Sequence, residues 1–210
     1  MEGAIKSLVR EQLLDGLAVL QAVAEDANLH ATLAHAAAAT ATALKAGRKL
    51  MIAGNGGSAA DAQHLATEFV SRLCEDRPAM RAMALTTDSS ILTAVGNDYG
   101  YDRVFVRQIE ALGQAGDVFI GISTSGNSPN ILRALEHCRQ SGIATIGLGG
   151  KTGGKMATLC DYLIRIPSDV TMHIQHAHLA LEHIFCILVE RAFFGPEGFA
   201  PNGAKPSARG

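Results

Sequence analysis

The chain has 210 residues and a formal net charge of −2, and 48% of it is hydrophobic, with three Tyr and no Trp. That is enough chain for one domain with a good core, too little charge to draw nucleic acid or an anionic membrane, and no apolar run near the roughly 20 residues that cross a bilayer. The charged, amphipathic start MEGAIKSLVREQLL is not a secretory signal, and Cys74, Cys138, Cys160 and Cys186, with no Cys-x-x-Cys pair, point to free thiols in a reducing cytoplasm.

Residues 1 to about 47 read as helices, because Leu8, Leu13, Leu14, Leu17, Leu20, Val23 and Leu29 recur at near-helical spacing. From His35 to Ala46 the sequence is almost continuous alanine, a surface of small residues suited to close packing between subunits. His30 and His35 read as exposed or capping residues rather than ligands.

The stretch KLMIAGNGGSAADAQHLATEFVSR, from Lys49 to Arg72, organises the rest of the chain. Leu50 to Ala53 is a short apolar run that reads as a buried strand. Gly54-Asn55-Gly56-Gly57-Ser58 is a tight turn whose glycines permit positive φ and close backbone approach. An alanine-rich helix then begins, with Ser58 as its expected N-cap. Strand, glycine turn and helix N-terminus make an anion-binding device, because free N–H groups and the helix dipole point at the turn. His64 and Glu68, one turn apart on one face, are a candidate metal or acid–base pair.

Ala82 to Leu85 reads as a second strand, followed by a turn and a short helix from Ile91 to Val95. The segment GNDYGY, Gly96 to Tyr101, is a loop of turn formers. It is either a turn and nothing more, or the place where Asn97 and Asp98 face a polyol. A helix from Asp102 to Leu112 leads into the strand Val118 to Ile122. Ser123-Thr124-Ser125-Gly126-Asn127-Ser128-Pro129 comes next, with Ser128 as N-cap and Pro129 at the first position of a helix reaching Arg139. The hydroxyls of Ser123, Thr124, Ser125 and Ser128 converge with backbone donors on a second phosphate cradle that needs no lysine.

Ala144 to Leu148 and Tyr162 to Ile166 are further strands, separated by a glycine-rich loop and a short helix from Lys155 to Leu159. Strands alternating with helices signal a parallel sheet covered on both faces. Ligands bind outside the carboxyl ends of such strands, where both cradles lie. A long apolar helix from Thr171 to Phe194 carries Gln175, His176, His178, Glu182 and His183, of which His178 reads as structural. Residues 196–210 read as a mobile tail, leaving 1–195 as one domain with a helical part at 1–47.

Four separated motifs carry a resemblance: GNGGSAADAQHxxxEF (54–69), LTTDxSxLTAxGNDYGY (85–101), GDVxxGxSTSGNS (116–128) and IQxxHxxxxH (174–183). The chain resembles the SIS (sugar isomerase) proteins and, among them, the phosphoheptose isomerase family. The resemblance implies an α/β fold: a five-stranded parallel sheet flanked by helices, doubly wound in the flavodoxin-like manner. It also implies a homotetramer, with the N-terminal helices and the late helix packing between subunits and the active sites at those boundaries. The family's zinc ligands fall on His64, Glu68, Gln175 and His183, with one zinc ion per subunit. Its phosphate donors fall on Ser123, Thr124, Ser125 and Ser128, with Ser58 nearby. Its sugar contacts fall on Asn55, Gly56, Gly57, Asn97 and Asp98, together with Glu68 and Gln175. The activity implied is aldose–ketose isomerisation of sedoheptulose 7-phosphate to D-glycero-D-manno-heptose 7-phosphate through a cis-enediol, for cell-envelope heptose, with Glu68 and His183 catalytic. The rival reading is a non-catalytic sugar-phosphate-binding regulator of the kind that associates with the bacterial replication initiator. The pattern departs at the site's rim, where His176 follows the glutamine in place of an acidic residue and Met172 and His173 precede it. Gln175 and His183 are eight residues apart, about 12 Å along a helix. One metal touches both only from beside the helix with both side chains extended; otherwise the pair comes from two subunits.

Overall fold

Leu50–Ala53 forms strand β1 and is buried along its whole length, as a strand inside a parallel sheet must be. The computed structural model describes residues 2–73 and 76–195, so Cys74 and the tail at 196–210 lie outside the described residues. The other strands are β2 (Ala82–Ala84), β3 (Val118–Ser123), β4 (Ala144–Gly149) and β5 (Tyr162–Arg165), in the order β2-β1-β3-β4-β5. Every pairing is parallel, with Ile52 opposite Ala84 on one side and Ile120 on the other. The winding direction reverses between β1 and β3, and loops at such a switch point open a crevice. Both cradles begin there.

Seven α-helices accompany the sheet among the described residues: α1 (Glu2–Glu25), α2 (Ala27–Lys45), α3 (Gly57–Val70), α4 (Ser89–Tyr99), α5 (Val106–Leu112), α6 (Pro129–Gln140) and α7 (Thr171–Phe194). One sheet face packs Ile52, Ile120, Ile146 and Leu148 with residues of α2, α3 and α7. The other packs Met51 and Phe119 with Ile109 of α5 and Ile131 and Leu135 of α6. The buried carboxylate of Asp117 fixes the entry to β3, accepting from the backbone N–H groups of Lys49 and Gln114 and pairing with Lys49 Nζ at 2.6 Å.

Several local expectations change. One face of α2 is spent inside the chain: Ala36, Ala37, Thr40, Ala41 and Leu44 are buried, and the small alanines let α2 lie close to α7 and β5. It is α1 that stays uncovered, with Ile5, Leu8, Leu13 and Leu17 between 56% and 69% exposed. His30 does cap, its Nε2 lying 2.8 Å from the carbonyl oxygen of Val23 at the end of α1. Helix α4 runs on to Tyr99, because Asp88 caps its start by accepting from Ile91 N and nothing stops it before Gly100, at φ 95°. Asn97 and Asp98 are therefore on a helix rather than in a loop. No helix among the described residues is long and apolar enough to cross a membrane.

Candidate active site

Helix α3 starts two residues earlier than its sequence suggests. Gly56, at φ 57°, is the residue before the helix, and Ser58 is buried inside the first turn instead of capping it. The turn is tight enough to demand glycine: a Cβ on Gly54 would lie 2.3 Å from the Ser58 carbonyl oxygen. The N-terminus of α3 thus has no side-chain cap; Ala59 and Ala60 N–H donate to the Gly56 carbonyl, and the N–H groups of Gly57 and Ser58 are left to meet an anion.

The second cradle is pre-formed by its own hydroxyls. Ser123 Oγ lies 2.9 Å from Ser128 Oγ and 3.4 Å from Ser125 Oγ, while Ser125 Oγ accepts from Asn127 N at 3.2 Å. Ser128 stands at the N-cap of α6, but its hydroxyl turns to Ser123 rather than to the helix. Half-buried Thr124 holds the neighbouring loop through its carbonyl oxygen, which accepts from Gly150 N at 3.0 Å. Gly126 has φ 64°, and a Cβ there would strike the Gly153 carbonyl, so the loop after β4 packs directly on the cradle.

One residue that the sequence did not flag links the cradles. Asn55 and the buried Asn130 exchange two amide hydrogen bonds, at 3.0 and 2.8 Å, tying the turn after β1 to the first turn of α6. Tyr101 Oη also donates to Asn55 Oδ1, at 3.3 Å. The only sequence signal for Asn130 is an asparagine placed just inside a helix, where it is a poor helix former. Asn97 and Asp98 are exposed and bond to each other, at 2.8 Å.

Helices α3 and α7 bring the remaining candidates together. His64 Nε2 lies 2.8 Å from His183 Nε2 and 3.5 Å from Glu68 Oε1, with Glu68 13% exposed. One donor atom from each of the three residues falls within 4.8 Å of the others. Two imidazoles and a carboxylate are a donor set that suits zinc. The three donor atoms lie close enough together that one ion would reach all of them. The residues fit the ion. Gln175 sits two turns earlier on α7, and its amide lies against the glycine turn: a Cβ on Gly57 would be 2.5 Å from Gln175 Nε2.

Two buried groups, His178 and Glu182, and the half-buried Asp61 back this seam. His178, fully buried, directs Nε2 at the Gly149 carbonyl 3.2 Å away, and burial pushes its pKa down to about 4. Glu182, next to His183, is 1% exposed with neither carboxyl oxygen hydrogen-bonded; burial, and secondarily Asp61, pushes it up to about 8. Asp61 is raised as well, by burial, against the opposing pull of His64.

Comparison with known proteins places this arrangement. The SIS domain model matches residues 15–150. A Campylobacter jejuni protein named phosphoheptose isomerase 2 is 53% identical over 196 residues, covering 93% of this chain and 97% of its own length. The chain belongs to the phosphoheptose isomerase family. Solved structures of family members agree: that of a phosphoheptose isomerase from Neisseria gonorrhoeae superposes with a TM-score of 0.83 at 39% identity, over 89% of this chain and 98% of the other. One from Francisella tularensis gives 0.84 at 32% identity, over 88% and 97%. For this phosphoheptose isomerase family member, the likeness therefore covers most of the chain's length.

Proposed function

We propose that the chain interconverts sedoheptulose 7-phosphate and D-glycero-D-manno-heptose 7-phosphate, supplying heptose for the cell envelope. The observation that carries this reading is the meeting of His64, Glu68 and His183 at one point of the α3–α7 seam. The hydroxyls of Ser123, Thr124, Ser125 and Ser128, with the α3 N-terminus and Ser58 beside them, bind the phosphate. Anchoring that end sets the reacting carbons at a fixed distance from the α3–α7 seam. Asn55, Gly56, Gly57, Asn97 and Asp98 contact the sugar hydroxyls.

From ketose to aldose, C1 loses a proton and C2 gains one, while the proton on O1 is lost and O2 becomes protonated. Glu68 takes the proton from C1 and returns it to C2 on the same face of the enediol. His183 exchanges protons with the two oxygens. His64, Glu68 and His183 would hold zinc, with Gln175 assigned as fourth donor on the family pattern. Bound zinc would polarise the carbonyl and favour the cis arrangement of the two oxygens. The Gln175 amide, lying against Gly57, equally serves as a sugar contact.

The exposed apolar stripe of α1 and the exposed Leu179 and Ile184 of α7 support self-association, which we assign as a homotetramer. The test of function is conversion of sedoheptulose 7-phosphate by purified protein before chelation, after it, and after zinc is restored. Turnover should vanish on chelation and return with zinc. Tight sugar-phosphate binding without turnover in any of these states would refute the isomerase and leave the regulator.

A further inference from the structure

Helix α3 and helix α7 meet at more than the three metal-site residues. They run side by side in the same direction, with the Gly57–Gln175 contact at one end and His64, Glu68 and His183 further along. Phe69 and Phe185 pack edge-on beyond them, their ring centroids 6.1 Å apart. At the far end stands an ion pair with no part in phosphate binding or proton transfer. Arg77 and Glu190, with side chains 5% and 4% exposed, join Nε to Oε1 at 2.6 Å.

The rest of the Arg77 guanidinium is spent on the end of α3. Its Nη2 donates to the carbonyl oxygen of Glu68 at 2.6 Å and its Nη1 to that of Phe69 at 2.8 Å. Nη1 also lies 3.2 Å from the Pro78 carbonyl and 3.5 Å from that of Ser71. The last carbonyls of a helix have no intrahelical partner, and a cation there also complements the helix dipole. Glu190 lies seven residues beyond His183, on the same side of α7. One buried fork therefore links the backbone of Glu68 to α7 two turns beyond His183. Arginine alone among the cations offers such a planar set of donors.

We infer that Arg77 and Glu190 form a positioning tie that fixes the approach of α3 to α7 and so sets the spacing of His64 and Glu68 against His183. Neither residue touches substrate or metal. The tie acts through the Glu68 backbone, and the inference rests on the reading of His64, Glu68 and His183 as a metal site. Supporting groups around a metal's ligands typically govern affinity by about 10–100-fold, so losing the tie should weaken zinc binding by about tenfold.

The test is a zinc titration, zinc ion alone competing against a chromogenic chelator, on wild type and on three variants. Arg77→Met with Glu190→Met removes both charges at once, leaving no buried ion unpaired. Arg77→Lys keeps the charge but not the fork. Ile109→Ala, on α5 at the opposite face of the sheet, is a control that weakens the core away from the seam. The double variant and Arg77→Lys should bind zinc about tenfold more weakly and lose kcat about tenfold at nearly unchanged KM, while Ile109→Ala keeps wild-type affinity. Wild-type zinc affinity in the folded double variant or in Arg77→Lys would overturn the tie and leave the metal site standing. Equal weakening in Ile109→Ala would also overturn it, reducing the effect to lost stability. Absence of zinc binding by wild type would overturn the metal reading itself.

Discussion

A methyl group on Gly57 would lie 2.5 Å from Gln175 Nε2, against the 3.4–4 Å of ordinary contact. Gly57 is the first residue of α3, and nothing in its backbone demands glycine: it is absent from the residues with positive φ. Gly57→Ala should therefore be gentle on the fold and harsh on the site. Alanine restricts the unfolded chain and favours the helix, contributing about 0.5 kcal/mol, a rise in Tm of roughly a degree or two for a chain of this size. The Gln175 amide, at the end of a flexible side chain, must retreat by about 1 Å, and a misplacement of that order costs about 100-fold in turnover. The assay pairs thermal unfolding with steady-state isomerisation of sedoheptulose 7-phosphate. Unchanged or raised Tm with kcat/KM lowered by one to two orders of magnitude is the expected pattern. Wild-type kcat/KM in a variant of unchanged stability would refute the reasoning and remove Gln175 from the working site.

Glu68→Gln should lower kcat by about 100- to 10,000-fold, the usual worth of a positioned base, with sugar-phosphate binding retained by calorimetry; full activity would sink the assignment. His178 has an ordinary pKa of 6.5 and is held at about 4 by burial. A depressed pKa means that stability is present above 6.5 and lost as pH falls toward 4, on the order of 3 kcal/mol in all. Urea unfolding of wild type and His178→Gln at several pH values should show their stability difference shrinking across that window; a difference independent of pH contradicts the buried neutral imidazole. Replacing Leu13 and Leu17 by Asp on the exposed stripe of α1 should dissociate the assembly without unfolding the chain, read by light scattering and circular dichroism. An unchanged mass would show that α1 is not the interface.

The sheet was legible because its strands are short apolar runs bounded by glycine and polar turns, and β1 follows the apolar run residue for residue. Both cradles were legible for a related reason: glycine and serine clusters placed between a strand and a helix leave few alternatives. Helix edges were less so. Ser58 looks like a cap, but the freedom of Gly56 at φ 57° lets the helix begin before it. The alanines of α2 signalled close packing but not against what, since small size does not name a partner. The groups most easily missed act at a distance along the chain. Asn130 meets Asn55 across 75 positions and Arg77 meets Glu190 across 113, and local pattern carries no register for such pairs. A hint was present in Glu190, one of two acids inside an apolar helix, because burying a charge is costly unless it is paired.

His64 and His183 are separated by 119 positions, whereas the Asn55–Asn130 link closes 75. In chain order, the residues of both cradles are present once α6 has been made, whereas the loop that packs on the second cradle and the helix that carries Gln175 and His183 come later. On the proposed function, docking of α7 is the step that completes the site.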